Sequence, residues 1–337
     1  MKTAFLFPGQ GSQEVGMGKG FALSSEAAAA VWREADDVLG FSLSRLCFEG
    51  PPDELTLTTN TQPAVLTASV AAAAALAERG LIPDLVAGHS LGEYSALVVA
   101  GALPFAVAVR LVRQRGVFMQ EAVPVGAGAM AALLGVDLGI VEEVCAEAAC
   151  GEVVAVANIN APGQIVIAGH RSAVERAIKA AALRGARKSI MLPVSAPFHS
   201  ALMKPAADRL AAELDRVTVF PPRIPVVRNV DAGLTTSAEE VKPFLVQQVA
   251  SPVRWTDCVE RLRREGVTTF FEVGPGRVLT GLLKRTLPDV PGHAIDEPAS
   301  LDRAQAAMTS AAGNTRAAGR GGGATGHAGT LGGTGPS

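Results

Sequence analysis

Short apolar runs and longer amphipathic or alanine-rich stretches alternate along much of the chain. Residues 3–7, Thr-Ala-Phe-Leu-Phe, are apolar and closed by Pro8-Gly9, the pattern of a buried strand opening into a glycine-rich loop. Residues 63–78 predict a helix, with proline near the start, alanine throughout and Gly80 just past the end. Leu85-Val86-Ala87 predicts a second strand, which runs directly into Gly88-His89-Ser90-Leu91-Gly92. Helical pattern resumes at Glu93 and stops at Gly101, so strand, tight turn and helix follow one another.

Between Gly128 and Leu192 the order of elements changes. Residues 130–135, 153–159, 164–168 and 188–192 read as strands, with helices over 137–149 and 172–183. That β-α-β-β-α-β order is ferredoxin-like. Beyond Val194, helices over 201–214 and 242–250 alternate with strands near 225–228 and over 268–273, a return to the α/β pattern. The expected fold is therefore α/β, with a parallel-sheet large domain split over 1–125 and 196–295 and a ferredoxin-like small domain inserted at 126–195. Residues 311–337 contain ten glycines, one large apolar side chain, Leu331, and no acidic residue. Such a stretch cannot bury enough surface to offset its ordering entropy, and a disordered Gly/Ala-rich tail is expected over 300–337.

Composition narrows the function classes. With 337 residues, 48% of them hydrophobic, the chain can bury a sizeable core. Thirty basic against thirty-two acidic residues give a net charge of -2, which speaks against a nucleic-acid partner. Cys47, Cys145, Cys150 and Cys258 form no C-x-x-C pair and no metal-spaced cluster, so neither a zinc site nor a disulfide framework is expected. The apolar run near the amino terminus is too short for a signal peptide, and no stretch is long enough to span a bilayer. A cytoplasmic protein is expected, with no cofactor and no metal.

Gly88-x-Ser90-x-Gly92 is a nucleophile-elbow pattern, in which glycines let a strained turn expose a serine between strand and helix. In a chain of 36 glycines the pentapeptide is weak alone; its strand-to-helix context carries the argument. The competing account is an ordinary strand-to-helix turn. A serine needs a base, and five histidines are available. His327 lies in the glycine-rich tail, and His293 in a Pro/Gly-rich exit. His89 adjoins the serine but should point away from it, and His170 reads as a surface residue of the small domain. His199, in the loop Ser195-Ala-Pro-Phe-His-Ser200, is the better candidate, although spacing alone leaves the choice open. The first loop, Gly9-Gln10-Gly11-Ser12-Gln13, fails as a nucleotide fingerprint. Glu14 stands where the third glycine belongs, and Met17 where a P-loop has lysine. A loop lending backbone N–H groups is the better account. Arg110, Arg113 and Arg115 read by themselves as the solvated face of an amphipathic helix.

Seven motifs in order resemble the malonyl-CoA:acyl carrier protein transacylases. They are Phe7-Pro-Gly-Gln-Gly-Ser-Gln13, Gly88-His-Ser-Leu-Gly-Glu93, Arg115-Gly116 with Met119-Gln120, Asn160-x-Pro-Gly-Gln-Ile-Val-Ile-Ala-Gly169, Ser195-x-Pro-Phe-His-Ser200, Gln248-x-x-x-Pro-Val-x-Trp255 and Glu272-Val-Gly-Pro-Gly276. The resemblance spans roughly residues 1 to 290. It implies an α/β-hydrolase-like large domain with Ser90 as nucleophile and His199 as general base. It further implies that the Gln248 backbone carbonyl orients the histidine and that the Gln10 and Leu91 N–H groups form the oxyanion hole. Arg115 would bind the malonyl carboxylate, overturning its solvated reading but not that of Arg110 or Arg113. The implied reaction moves malonyl from malonyl-CoA to the phosphopantetheine thiol of acyl carrier protein through a malonyl-serine. A monomer is expected, since it suits an enzyme that must receive a mobile carrier. Two alternatives stay open: a trans-acting polyketide-type malonyl acyltransferase, which shares the motifs, and a serine esterase or thioesterase, which uses water as acceptor. Leu91 and Phe198 look like the malonyl-selective form of the site.

Overall fold

The computed structural model describes residues 2–194 and 196–308. Its strands are β1 (Lys2–Phe7), β2 (Leu85–Gly88), β3 (Gly128–Leu134), β4 (Val154–Ala161), β5 (Gln164–His170), β6 (Lys188–Met191), β7 (Val226–Val227), β8 (Leu234–Thr235), β9 (Val267–Val273) and β10 (Gly292–Ile295). The first sheet runs β10-β9-β1-β2-β7-β8 and is parallel except for β8, which pairs antiparallel with β7. The second is antiparallel in the order β4-β5-β3-β6, with the Leu138–Ala149 and Arg171–Leu183 helices packed on it. This is the expected α/β class, with a parallel core and a ferredoxin-like sheet.

β1 is continuously apolar from Ala4 to Phe7 because both its faces are covered there, as is usual in parallel sheets. Phe5 and Phe7 enter one core with Leu66, Ala68 and Leu76 of the Thr58–Glu78 helix, whereas Ala4 and Leu6 enter another with Trp255, Leu262 and Leu279. The registers Phe7↔Gly88 and Leu6↔Glu272 bring the carboxyl ends of β1, β2 and β9 together at one edge. Loops leaving the carboxyl ends of parallel strands form the usual ligand crevice of such sheets. β4 of the second sheet is stitched by backbone to the segment just before Trp255: Asn158 bridges Val253, Ile159 N–H donates to Val253 O and Val253 N–H donates to Ala157 O, both at 2.9 Å.

Several boundaries differ from expectation. The Thr58–Glu78 helix begins one turn before Pro63, whose missing N–H forfeits only one early bond. The Ala238–Val249 helix likewise begins before Pro243, at a capping box of Ser237 and Glu240. His293 is no exit residue: it lies in β10, its ring stacked 5.3 Å from that of Phe271. The tail expected from residue 300 is also corrected, since residues 300–308 are helical and bury Leu301 and Ala304. The remainder of that expectation, 309–337, falls outside the described residues. Among the described residues no helix is long and apolar enough to cross a membrane.

Candidate active site

β2 ends at Gly88 and the next helix starts at Gly92, leaving His89, Ser90 and Leu91 to make the turn. Both glycines are required by contact: a Cβ on Gly88 would lie 1.9 Å from Gly92 carbonyl atoms, and one on Gly92 2.0 Å from Phe7 O. Ser90 is thereby pushed to φ 53, a left-handed conformation seldom adopted by a residue with a side chain. Its Oγ lies 2.7 Å from His199 Nε2. His199 also has a positive φ, 58, and is 4% exposed. Its Nδ1 is 3.0 Å from the Gln248 backbone carbonyl. A carbonyl only accepts, so Nδ1 carries the proton and the Nε2 lone pair faces the serine hydroxyl. Burial, then the nearby Arg115 charge, lower the imidazole pKa to about 3, so it is a neutral base over the ordinary pH range.

Arg115 lies on the Phe105–Glu121 helix and is 2% exposed, not solvated. Its Nη1 donates to Gln62 Oε1 at 2.8 Å, and its Nη2 to Gln248 Oε1 at 3.0 Å and Ser90 Oγ at 3.2 Å. Its Nε has no hydrogen-bond partner, its guanidinium carbon lies 5.4 Å from the centre of the Tyr94 ring, and its hydrogen bonds among the described residues go to no carboxylate. Buried arginines ordinarily have such a partner, so the guanidinium presents an uncancelled charge to the cleft. Arg110 is exposed, whereas Arg113 departs from the solvated reading by lying over the Phe41 ring at 4.4 Å.

Gln10, Leu91, Ser90, Arg115 and His199 line one small cleft of about 130 Å3, closed by Met119, Met130, Leu192, Val194 and Phe198. Gln10 is held by its Nε2 donating to Thr58 Oγ1 at 3.1 Å. Gln248 stands behind the cleft. His89 does turn aside from catalysis: its Nε2 is 2.8 Å from Asn160 Oδ1 of β4, and its ring packs on Trp255. His170 is partly exposed and its Nδ1 accepts the Val153 N–H at 2.9 Å, pinning the small sheet. Glu272 caps the Val278–Thr286 helix by accepting the Leu279 and Thr280 N–H groups. No group of His, Cys, Asp and Glu among the described residues could hold a metal ion.

Three residues of the site escaped the sequence reading. Glu93 is 3% exposed behind Ser90 and accepts from Gln248 Nε2 at 2.8 Å and Asn229 N at 3.0 Å. Gln248 thus relays between the Arg115 guanidinium and the Glu93 carboxylate. Burial raises the Glu93 pKa to about 7. Gln62 and Asn229 complete the set, and neither stands in a pattern that spacing could single out.

A parallel α/β core that presents a serine–histidine pair at a strand-to-helix turn defines a protein of the acyl-transfer class. This chain belongs to the acyl transferase domain family, whose model matches residues 4–322. It is 51% identical over 299 residues to the malonyl CoA-acyl carrier protein transacylase of Escherichia coli (strain K12), covering 88% of this chain and 97% of that protein. An acyl-carrier-protein S-malonyltransferase from Burkholderia pseudomallei superposes with a TM-score of 0.88 at 51% identity, covering 90% and 99%. A malonyl-transacylase in complex with a type II polyketide acyl carrier protein does so with a TM-score of 0.88 at 48% identity, again covering 90% and 99%. The resemblance read from the seven motifs is borne out by these relatives.

Proposed function

We propose that this chain transfers malonyl from malonyl-CoA to the phosphopantetheine thiol of acyl carrier protein, through a malonyl ester on Ser90. The observation that carries the reading is Arg115: a buried guanidinium without a carboxylate partner, beside the serine–histidine pair. Its planar fork suits the free carboxylate of a malonyl group, whereas an uncharged acyl group leaves it unpaired.

His199 Nε2 takes the Ser90 proton as Oγ attacks the thioester carbonyl. The Gln10 and Leu91 N–H groups stabilise the tetrahedral oxyanion, and coenzyme A leaves as its thiol with the proton that His199 held. The carrier thiol then enters, gives its proton to His199 and attacks the malonyl ester; the ester C–O bond breaks and His199 returns the proton to Ser90 Oγ. The reaction needs no cofactor or metal, since the thioester is already an activated acyl donor and the protein supplies base and donors. A cytoplasmic setting suits both substrates.

The test is intact-protein mass after brief incubation with malonyl-CoA, followed by phosphopantetheinylated carrier. A malonyl adduct on Ser90 that moves to the carrier is expected. An adduct lost to water equally fast with or without carrier would mean a hydrolase.

A further inference from the structure

The turn that carries Ser90 is held from outside by two side chains, Asn229 and Gln248. Asn229 lies just past β7, the strand beside β2, and is fully buried. Its Oδ1 accepts the Ser90 N–H at 2.6 Å, and its Nδ2 donates to Gly88 O at 2.7 Å. A single primary amide therefore spans the turn on both sides of His89. Asn229 is itself fixed through its backbone, whose N–H donates to Glu93 Oε2 at 3.0 Å and whose carbonyl accepts the Arg254 N–H at 2.9 Å. Gln248 Nε2 adds a bond to Ser90 O at 3.0 Å.

We propose that Asn229 is a positioning residue for the nucleophile, holding Ser90 in its left-handed conformation and keeping the Ser90 N–H out of the oxyanion site. The proposal rests on the reading of Ser90 as nucleophile. A strained conformation persists only where its surroundings over-determine it, and here the surroundings are these directed bonds. With the Ser90 N–H consumed, Leu91 N–H, at the start of the following helix, and Gln10 N–H are left to face the reacting carbonyl. The position requires an acceptor toward Ser90 and a donor toward Gly88 on one short side chain. Asparagine has both, ionised aspartate lacks the donor, and leucine of similar size has neither. Without the clamp, the Gly88 carbonyl and Ser90 N–H lose their partners and the turn relaxes. A displacement of Oγ by about 1 Å costs roughly 100-fold in rate.

The experiment compares Asn229→Leu and Asn229→Asp with the wild-type chain. It reads the single-turnover rate of malonyl-Ser90 formation by mass, the KM for malonyl-CoA and the pH dependence of both. Asn229→Leu is expected to form the adduct roughly 100-fold more slowly, with KM within about 3-fold of wild type, because substrate contacts are untouched. Asn229→Asp is expected to be impaired at neutral pH and to recover relative to wild type as pH falls, since a protonated carboxyl regains the donor to Gly88. The charged and titratable groups around the position are Glu93, Arg115, Arg228, His89, His199 and Cys258. They are the same in both variants, so a recovery confined to Asn229→Asp belongs to residue 229.

A loss carried by KM, an adduct rate near wild type in Asn229→Leu, or an Asn229→Asp ratio flat with pH would overturn the proposal. Should Asn229→Leu not fold, the Asn229→Asp profile decides alone. A wild-type chain that forms no Ser90 adduct would instead sink the nucleophile reading itself.

Discussion

Arg115 and His199 converge on one atom: Ser90 Oγ lies 3.2 Å from Arg115 Nη2 and 2.7 Å from His199 Nε2. The nucleophile thus sits between a neutral base and a buried cation whose other contacts are the uncharged amides of Gln62 and Gln248 and the ring of Tyr94.

Arg115→Ala should reduce kcat/KM for malonyl-CoA by roughly 100-fold or more, the effect of removing one partner from a desolvated ion pair. The reduction for acetyl-CoA should be much smaller, because acetyl has no carboxylate to lose. Steady-state kinetics with both thioesters measures the difference; equal losses would mean that Arg115 only supports the cleft.

The acid limb of kcat/KM should lie far below 6.5, the ordinary histidine value, since His199 is lowered to about 3 by burial and by Arg115. Removing the guanidinium removes one of those causes, so the limb should move upward in Arg115→Ala. Stability follows with a definite sign. Between 6.5 and about 3 the unfolded chain takes up a proton that folded His199 refuses, so this contribution is lost as pH falls.

Glu93 acts in the opposite sense. Its carboxyl is raised from 4.5 to about 7, so over that window the folded chain holds a proton that the unfolded chain does not. Its contribution is complete below 4.5 and is lost as pH rises through 7. Glu93→Gln keeps an oxygen for Asn229 N–H and Gln248 Nε2 without the titration. Its Tm should therefore drop less than that of the wild type between pH 5 and pH 8, with His199 common to both. Parallel melting curves would place the titration elsewhere.

A chain ending at residue 299 should melt below one ending at 308. The shorter chain loses buried Leu301 and Ala304, and full burial of a leucine is worth about 1.5 to 3 kcal/mol. Calorimetry of the two truncations checks this; equal Tm values would mean that the turn of helix packs without stabilising.

Local pattern made the turn around Ser90 legible, because its two glycines and its strand and helix flanks are contiguous. His199 was narrowed by elimination and chosen through a loop motif, since no spacing rule links residues 109 apart. Arg115 was misleading when read alone: helix periodicity says which face a residue shares, not that a second layer of protein covers it. Asn229 and Gln62 gave no local signal at all. Their meaning comes from β7 lying beside β2 and from the Thr58–Glu78 helix packing on the Phe105–Glu121 helix, neither of which is written in neighbouring residues. The helices at Pro63 and Pro243 began earlier than expected because proline forbids less near a helix start than a strict breaker rule assumes.

The backbone stitch between Asn158 and Val253 anchors one wall of the cleft, which Asn158 lines. Met130 lies on β3 and Leu192 and Val194 just past β6, whereas Ser90 and Leu91 lie in the turn after β2 and Arg115 on the Phe105–Glu121 helix. Peptide groups as well as side chains therefore tie the strand that carries Asn158 to the segment that carries Val253. One cleft then serves both halves of the reaction, because donor thioester and acceptor thiol must reach the same serine in succession.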